Sequence, residues 1–127
     1  MYTRYHVNYI SPKTGQPVGL FVAVWSILDT CLTKDEVQEY WQNRNYFEKV
    51  LPIPPFYSDG NTIGAVTWFK ENNNTVAIIE KLEFYFRMLR KYNVDVVKSQ
   101  SDNPGTIIYE DEYQVGVIMV NVYTRIR

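Results

Sequence analysis

The segment 102–119 constrains the fold more than any other part of the chain. A turn at 101–105 leads into two β-rich stretches, 106–109 and 113–127, which three consecutive carboxylates separate. This pattern predicts two strands joined through an acidic tip. In the middle of the second strand both alternating faces are apolar, with Val115, Val117 and Met119 on one face and Ile118, Val120 and Val122 on the other. Such a strand needs cover on both sides, from helices or from a second chain.

The rest of the chain alternates between strand and helix patterns. A strand is predicted at 2–10, with Tyr5, Val7 and Tyr9 on one face and Arg4, His6 and Asn8 on the other. A further short strand is predicted at 94–99, and 62–70 is predicted to be either a short strand or an irregular approach to the next helix. We predict one α+β domain over 1–127. It would contain an antiparallel sheet of four or five strands, with three helices packed mainly on one face.

The three predicted helices differ in how clearly their ends are marked. The first, at 20–32, is apolar over most of its circumference and is expected to be largely buried. The second begins after Thr33, which forms a capping-box pattern with Glu36, and ends near Val50 before a proline-rich loop at 52–61. The third runs from about 75 to 91 as a single helix. The stiff loop at 52–61 is predicted either to carry function or to cover the core.

Composition and charge narrow the function classes. The chain has 13 basic and 14 acidic residues, a net charge of −1, which gives no electrostatic case for nucleic acid or a membrane as partner. No apolar run reaches the about 18 residues of a membrane span. The start of the chain lacks a signal-peptide layout, so a cytoplasmic location is predicted. Cys31, the single cysteine, lies in an apolar run and is predicted to be a small core residue.

Four sequence segments resemble a group of short bacterial proteins of unknown function. They are 19–21 (Gly-Leu-Phe), 51–54 (Leu-Pro-Ile-Pro), 68–70 (Trp-Phe-Lys) and 104–115, which contains Tyr-Glu-Asp-Glu. The last is the most specific. The resemblance implies a free-standing small protein of bacterial or phage type, and it implies no activity.

The acidic tip, Glu110, Asp111 and Glu112, is the first candidate site. Adjacent carboxylates repel one another unless they are solvated or lie near a cation or a basic partner. One patch offers too few oxygen ligands to hold a metal ion alone, so a solvated tip or intersubunit salt bridges are favoured. We predict no metal and no cofactor. An alternative is a small enzyme that uses the carboxylates of Asp59, Glu110 and Glu112, with or without assistance from a metal ion.

A basic and aromatic sheet face is the second candidate site. Arg4 and His6 share a face of the first strand, and Tyr123, Arg125 and Arg127 share a face of the last. If these strands are neighbours, arginine and tyrosine merge into a patch that suits phosphate or carboxylate. Trp68 and Lys70 form either a ligand wall or a core anchor. No phosphate-binding loop or dinucleotide fingerprint is present in the sequence.

The sequence therefore favours a non-enzymatic binding protein. It would engage a protein partner or a small, nucleotide-like anionic ligand. Because the last strand is apolar on both faces, a homodimer is also predicted.

Overall fold

The computed structural model describes residues 1–119. This part of the chain forms six strands and five helical segments, in the order β1 (Tyr2–Ile10), β2 (Pro17–Gly19), α1 (Leu20–Ile27), α2 (Lys34–Val50), α3 (Pro55–Ser58), β3 (Val66–Lys70), α4 (Val76–Glu80), α5 (Glu83–Lys91), β4 (Val97–Ser101), β5 (Thr106–Glu110) and β6 (Gln114–Ile118). None of the described helices is long and apolar enough to cross a membrane.

The strands form one sheet in which every pairing is antiparallel. β4 lies beside β1, β1 beside β3, β3 beside β6, and β6 beside β5. The predicted α+β class with an antiparallel sheet is therefore confirmed. The structure adds a sixth strand to the predicted sheet, because β2, only three residues long, pairs with β1.

β1 pairs with two different strands along one of its edges. Tyr2 and Thr3 pair with β3, whereas His6 and Ile10 pair with β2. β4 occupies the opposite edge, because it pairs with the same part of β1. Arg4 consequently lies at a fork, where β3 has left β1 and β2 has not yet joined it.

The larger core lies between the sheet and helices α1, α2 and α5. Its members with no exposed surface include Val7, Val24, Leu82 and Leu89. Aromatic rings link the three helices: the centroid of Phe21 is 5.1 Å from that of Phe47 and 5.0 Å from that of Tyr85, both edge-to-face. Rings in this geometry attract one another through the positive edge and negative face, in addition to the apolar area that they bury.

A smaller core lies on the other face of the sheet. Val66 and Trp68 of β3 pack there against Val115 and Val117 of β6. The first four residues of β6 are buried, so the prediction of a strand covered on both faces is confirmed for residues 114–117. Residues 120–127 of the predicted last strand lie outside the described residues.

The first helix is shorter and more exposed than its sequence predicts. α1 ends at Ile27, and the polar residues at 29–30 belong to the turn that leads to the next cap. Val22 and Trp25 keep 60% and 51% of their surface exposed. Cys31 is exposed in the same turn, so its prediction as a core residue is wrong. Helical periodicity cannot show that an eight-residue helix packs along one side only.

The predicted third helix is two helices, α4 and α5. The amides of Lys81 and Leu82 bond to carbonyls three residues earlier, at 3.1 and 3.0 Å, and this tight turn separates the two segments. Leu82 is directed fully into the core at the break. Val76, an apolar residue of α4, is exposed.

α2 begins with the predicted capping box. Thr33 Oγ1 accepts from the Glu36 amide at 3.3 Å, and Glu36 Oε1 accepts from the Thr33 amide at 2.9 Å. Glu36 also accepts from Lys91 Nζ and the Tyr92 hydroxyl, both at 2.6 Å. The capping residue thus also joins α2 to the end of α5.

Glu36→Gln is expected to reduce the acid sensitivity of folding. Hydrogen bonds from Lys91, Tyr92 and the Thr33 amide lower the pKa of Glu36 from 4.5 to about 2. A carboxyl with a lowered folded-state pKa stabilises the fold fully above pH 4.5, and this stabilisation is lost as the pH falls towards 2. Urea unfolding at pH 5.5 and pH 3 should show a smaller loss of stability in the variant than in the wild type. The exposed Glu80→Gln is the control, and equal losses in the wild type and Glu36→Gln would contradict the expectation.

Candidate ligand-binding site

Asp111, in the middle of the acidic tip, holds the β5–β6 turn together. Its carboxylate accepts from the Tyr109 hydroxyl at 2.7 Å, from the Tyr113 amide at 2.8 Å, and from both the amide and the side chain of Gln114 at 3.1 Å. Burial alone would raise the pKa of Asp111, but these donors outweigh it and lower the pKa. With its oxygens so occupied, Asp111 is a turn-forming residue.

The other predicted acidic residues, Glu110, Glu112 and Asp59, have different surroundings. Glu110 accepts from Lys70 Nζ at 2.6 Å, which pairs two of the predicted site residues with each other. Glu112 is exposed, and Asp59 is exposed at the end of α3. Across residues 1–119, no three or more His, Cys, Asp or Glu side chains form a group that could hold a metal ion.

The remaining predicted site residues, apart from Arg4, either pack or hydrogen-bond within the fold or lie outside the described residues. His6 places Nε2 2.7 Å from Ser99 Oγ on the neighbouring strand. Trp68 is buried in the smaller core, where it serves as an anchor. Tyr123 and Arg125, with Arg127, lie outside the described residues, so the predicted merging of the two strand faces is not described.

Arg4 has the most unusual environment of the predicted site residues. Only 7% of its surface is exposed, and its Nη2 donates to the Pro17 carbonyl at 2.6 Å. Within the described part of the chain, no carboxylate forms a salt bridge with it. Desolvation by burial lowers the pKa of Arg4 to about 10, against a smaller opposing effect of Tyr57. The guanidinium therefore remains charged at neutral pH.

A cleft of about 750 Å³ opens beside Arg4. Its floor contains Thr67 and Phe69 of β3 and Gln114 of β6. One wall comes from α1 and α2, and the other comes from the proline-rich segment 52–61, which we call the strap. This volume lies within the about 300–1,000 Å³ that is typical of small-molecule sites.

The strap is held in place at both ends and in its middle. Gln114 Nε2 donates to the Pro52 carbonyl at 2.7 Å. Phe56 is buried above Gly116, so closely that a Cβ on the glycine would lie 2.5 Å from the Phe56 ring. Asn61 bonds to both backbone groups of Ala65. The strap therefore forms a preorganised wall of the cleft.

The charges of the cleft lining are predominantly basic. Among residues 1–119, Arg4, Lys13 and Arg44 line it together with one acid, Glu48. Glu48 binds Arg44, with 3.1 Å between Oε1 and Nε, and the Arg44 guanidinium also lies 5.5 Å from the ring centroid of Trp25. The charge of Glu48 is thus already balanced at the mouth. The deep cation of the cleft is Arg4.

Sequence reasoning selected Arg4 but missed the residues that surround it. The strap residue Tyr57 lies close enough to affect the pKa of Arg4, and its hydroxyl is 3.4 Å from Thr67 Oγ1. Tyr57 is 42% exposed, and partial burial raises its pKa from an ordinary value of 10, so its hydroxyl is protonated and able to donate at neutral pH. The sequence does contain one signal for these residues, because the stiff, proline-rich loop at 52–61 carries aromatic residues. The sequence does not indicate which part of the fold this loop faces.

The resemblance to short bacterial proteins stays a prediction. No protein-family model, curated protein sequence or solved structure matches this chain.

Proposed function

We propose that this protein is a non-enzymatic binding protein that holds a small anionic ligand in the cleft, with Arg4 as its anchor. The observation that carries the proposal is a buried, charged guanidinium that lines a large cleft without a carboxylate partner among residues 1–119. A buried charge without a partner costs several kcal/mol. An anionic ligand would supply the partner, and arginine is suited to carboxylate or phosphate because its N–H groups form a planar fork.

The other functions that the sequence suggests have less support. The hypothesis of an enzyme that uses Asp59, Glu110 and Glu112 is weakened, because Lys70 already forms a salt bridge with Glu110. A protein partner could use the exposed apolar rim of the cleft, where Val22, Trp25 and Ile53 lie. The protein partner, the homodimer and the cytoplasmic location remain predictions. Native mass spectrometry of gently purified protein would measure the subunit number and any retained ligand together.

Arg4→Gln is expected to weaken anion binding by at least about 30-fold, because loss of one partner of a buried charge pair costs about 2–5 kcal/mol. Thermal-shift titrations would test the wild type against decanoate, phenylbutyrate, AMP and inorganic phosphate. At least one of these anions should stabilise the wild type and fail to stabilise Arg4→Gln.

Arg90→Gln is the matched control for this titration, because it removes the same charge from an exposed residue outside the cleft. It should bind as the wild type does. The proposal fails if none of the four anions binds, or if every anion that binds the wild type binds Arg4→Gln and Arg90→Gln equally well.

A further inference from the structure

The charge of the cleft limits how many negative charges a ligand can bring. Arg4 is the one cation of the described lining that is both buried and without an acidic partner, since Lys13 is exposed and Arg44 binds Glu48. A polyphosphate placed beside Arg4 would bury several charges against one guanidinium. Because uncompensated buried charge is costly, this arrangement favours a single anionic group.

The polar groups near Arg4 suit a carboxylate. Nη2 of Arg4 is held by the Pro17 carbonyl, which fixes the guanidinium in place. The hydroxyls of Tyr57 and Thr67 lie in the same lining and are separated by 3.4 Å, at the long limit for a hydrogen bond between them. Both hydroxyls can donate to a carboxylate that Arg4 holds.

The two side-chain amides of the cleft lining are not free to read a nucleobase. Gln114 Nε2 already donates to the Pro52 carbonyl and to Asp111, and Asn61 uses its amide on Ala65. Buried amides that are already bonded give no net gain by exchanging partners. The edge of a base would meet mainly apolar groups in this cleft.

Most of the other lining residues are apolar or aromatic. They include Leu20, Phe21, Trp25, Phe47, Leu51 and Ile53. Trp25 and Ile53 are exposed around the mouth, whereas Leu20 and Phe47 are buried. An apolar body would contact side chains from the deep part of the cleft to the rim, and it would gain free energy in proportion to the apolar area removed from water.

We infer, on the basis of the proposed function, that the ligand is an amphipathic carboxylic acid rather than a nucleotide. Its carboxylate binds Arg4, and its alkyl or aromatic body lies along the apolar walls that α1, α2 and the strap form. Both the carboxylate and the apolar body are required for tight binding, because each contacts a separate part of the cleft.

Calorimetric titration of decanoate and decanol, which share a chain and differ in charge, tests this inference, with AMP and inorganic phosphate as competing anions. The wild type should bind decanoate at least about 30-fold more tightly than decanol, as expected for a buried charge pair. Decanoate should also bind more tightly than AMP or phosphate.

Two variants separate loss of binding from loss of folding. Arg4→Gln removes the cation. Gly19→Leu keeps it, because a Cβ on Gly19 lies at an ordinary 3.7 Å from Arg4 Nη2, so the longer side chain fills the space beside the guanidinium. Arg4→Gln, checked for folding by circular dichroism, should lose decanoate binding by at least about 30-fold. Gly19→Leu, checked in the same way, should weaken decanoate binding because its side chain occupies the space beside the guanidinium. The control Arg90→Gln should not.

The outcomes distinguish this inference from the proposed function. Arg4-dependent binding of AMP or phosphate that is tighter than binding of decanoate would overturn the inference and leave the proposed function standing. Equal binding of decanol and decanoate, or decanoate binding that survives both Arg4→Gln and Gly19→Leu, would overturn the inference by showing that the carboxylate does not use Arg4. Failure of all these anions to bind in an Arg4-dependent way would overturn both.

Discussion

Leu82→Ala is expected to lower the free energy of unfolding by about 3–5 kcal/mol. Leu82 has no exposed surface and lies at the break between α4 and α5, where its side chain enters the larger core. Truncation removes buried apolar area and leaves a cavity that two helical segments, both tied to the sheet, cannot readily close. The loss would be a large fraction of the total stability of a typical domain, about 5–15 kcal/mol.

Urea unfolding followed by circular dichroism measures this change. Leu82→Met conserves most of the volume and should cost less than about 1.5 kcal/mol. Val76→Ala is the control in the preceding helix; because Val76 is 52% exposed, its truncation should change stability by no more than about 0.5 kcal/mol. Similar losses for Leu82→Ala and Val76→Ala would contradict the assignment of Leu82 to the core.

Asn61→Ala should destabilise the protein by about 2 kcal/mol or more and loosen the strap. Asn61 Nδ2 donates to the Ala65 carbonyl at 2.8 Å, and Asn61 Oδ1 accepts from the Ala65 amide at 2.9 Å. Both residues are buried, so the alanine variant leaves two backbone groups of Ala65 without partners. Asn61 also has a φ of 49°, a left-handed conformation that asparagine tolerates better than alanine does.

Asn61→Gly separates these two causes. It removes the same hydrogen bonds but accommodates the positive φ. The Asn61→Gly protein should therefore be more stable than Asn61→Ala and less stable than the wild type. Hydrogen exchange of the amides in the strap should become faster in both variants, while exchange in α2 remains slow. Unchanged exchange in the strap would show that the Asn61–Ala65 bonds do not hold it.

The sequence predicts local features of this fold better than features that depend on long-range pairing. The capping box at Thr33 and Glu36 is correct because its bonds form within one turn of the chain. The first strand has its predicted bounds, Tyr2–Ile10, because the alternation along a strand follows directly from backbone geometry. The burial of Cys31 is wrong because the end of α1 and the direction of the following turn depend on how that helix packs.

The candidate site was only partly predictable for the same reason. Arg4 could be selected as a basic residue on a strand, but its burial arises from the fork between β2 and β3. The cleft brings Arg4 together with Tyr57, a residue of a strap whose ends are held by Gln114 and Ala65. Nothing in the spacing of these residues indicates that they meet. The three consecutive carboxylates of the acidic tip suggest a site in the sequence. In the structure Asp111 instead accepts hydrogen bonds that stabilise the turn.

The central position of β1 also has a consequence for folding kinetics. Tyr2 pairs with Ser101 and His6 with Val97, so the first strand obtains one of its neighbours only after residues 97–101 have been synthesised. Contacts between residues so distant in sequence slow folding, because the loop entropy is lost before the contacts form. During translation β2 can join β1 early as a local hairpin, whereas the opposite edge of β1 stays open. The complete surroundings of Arg4 are therefore among the last parts of the molecule to form.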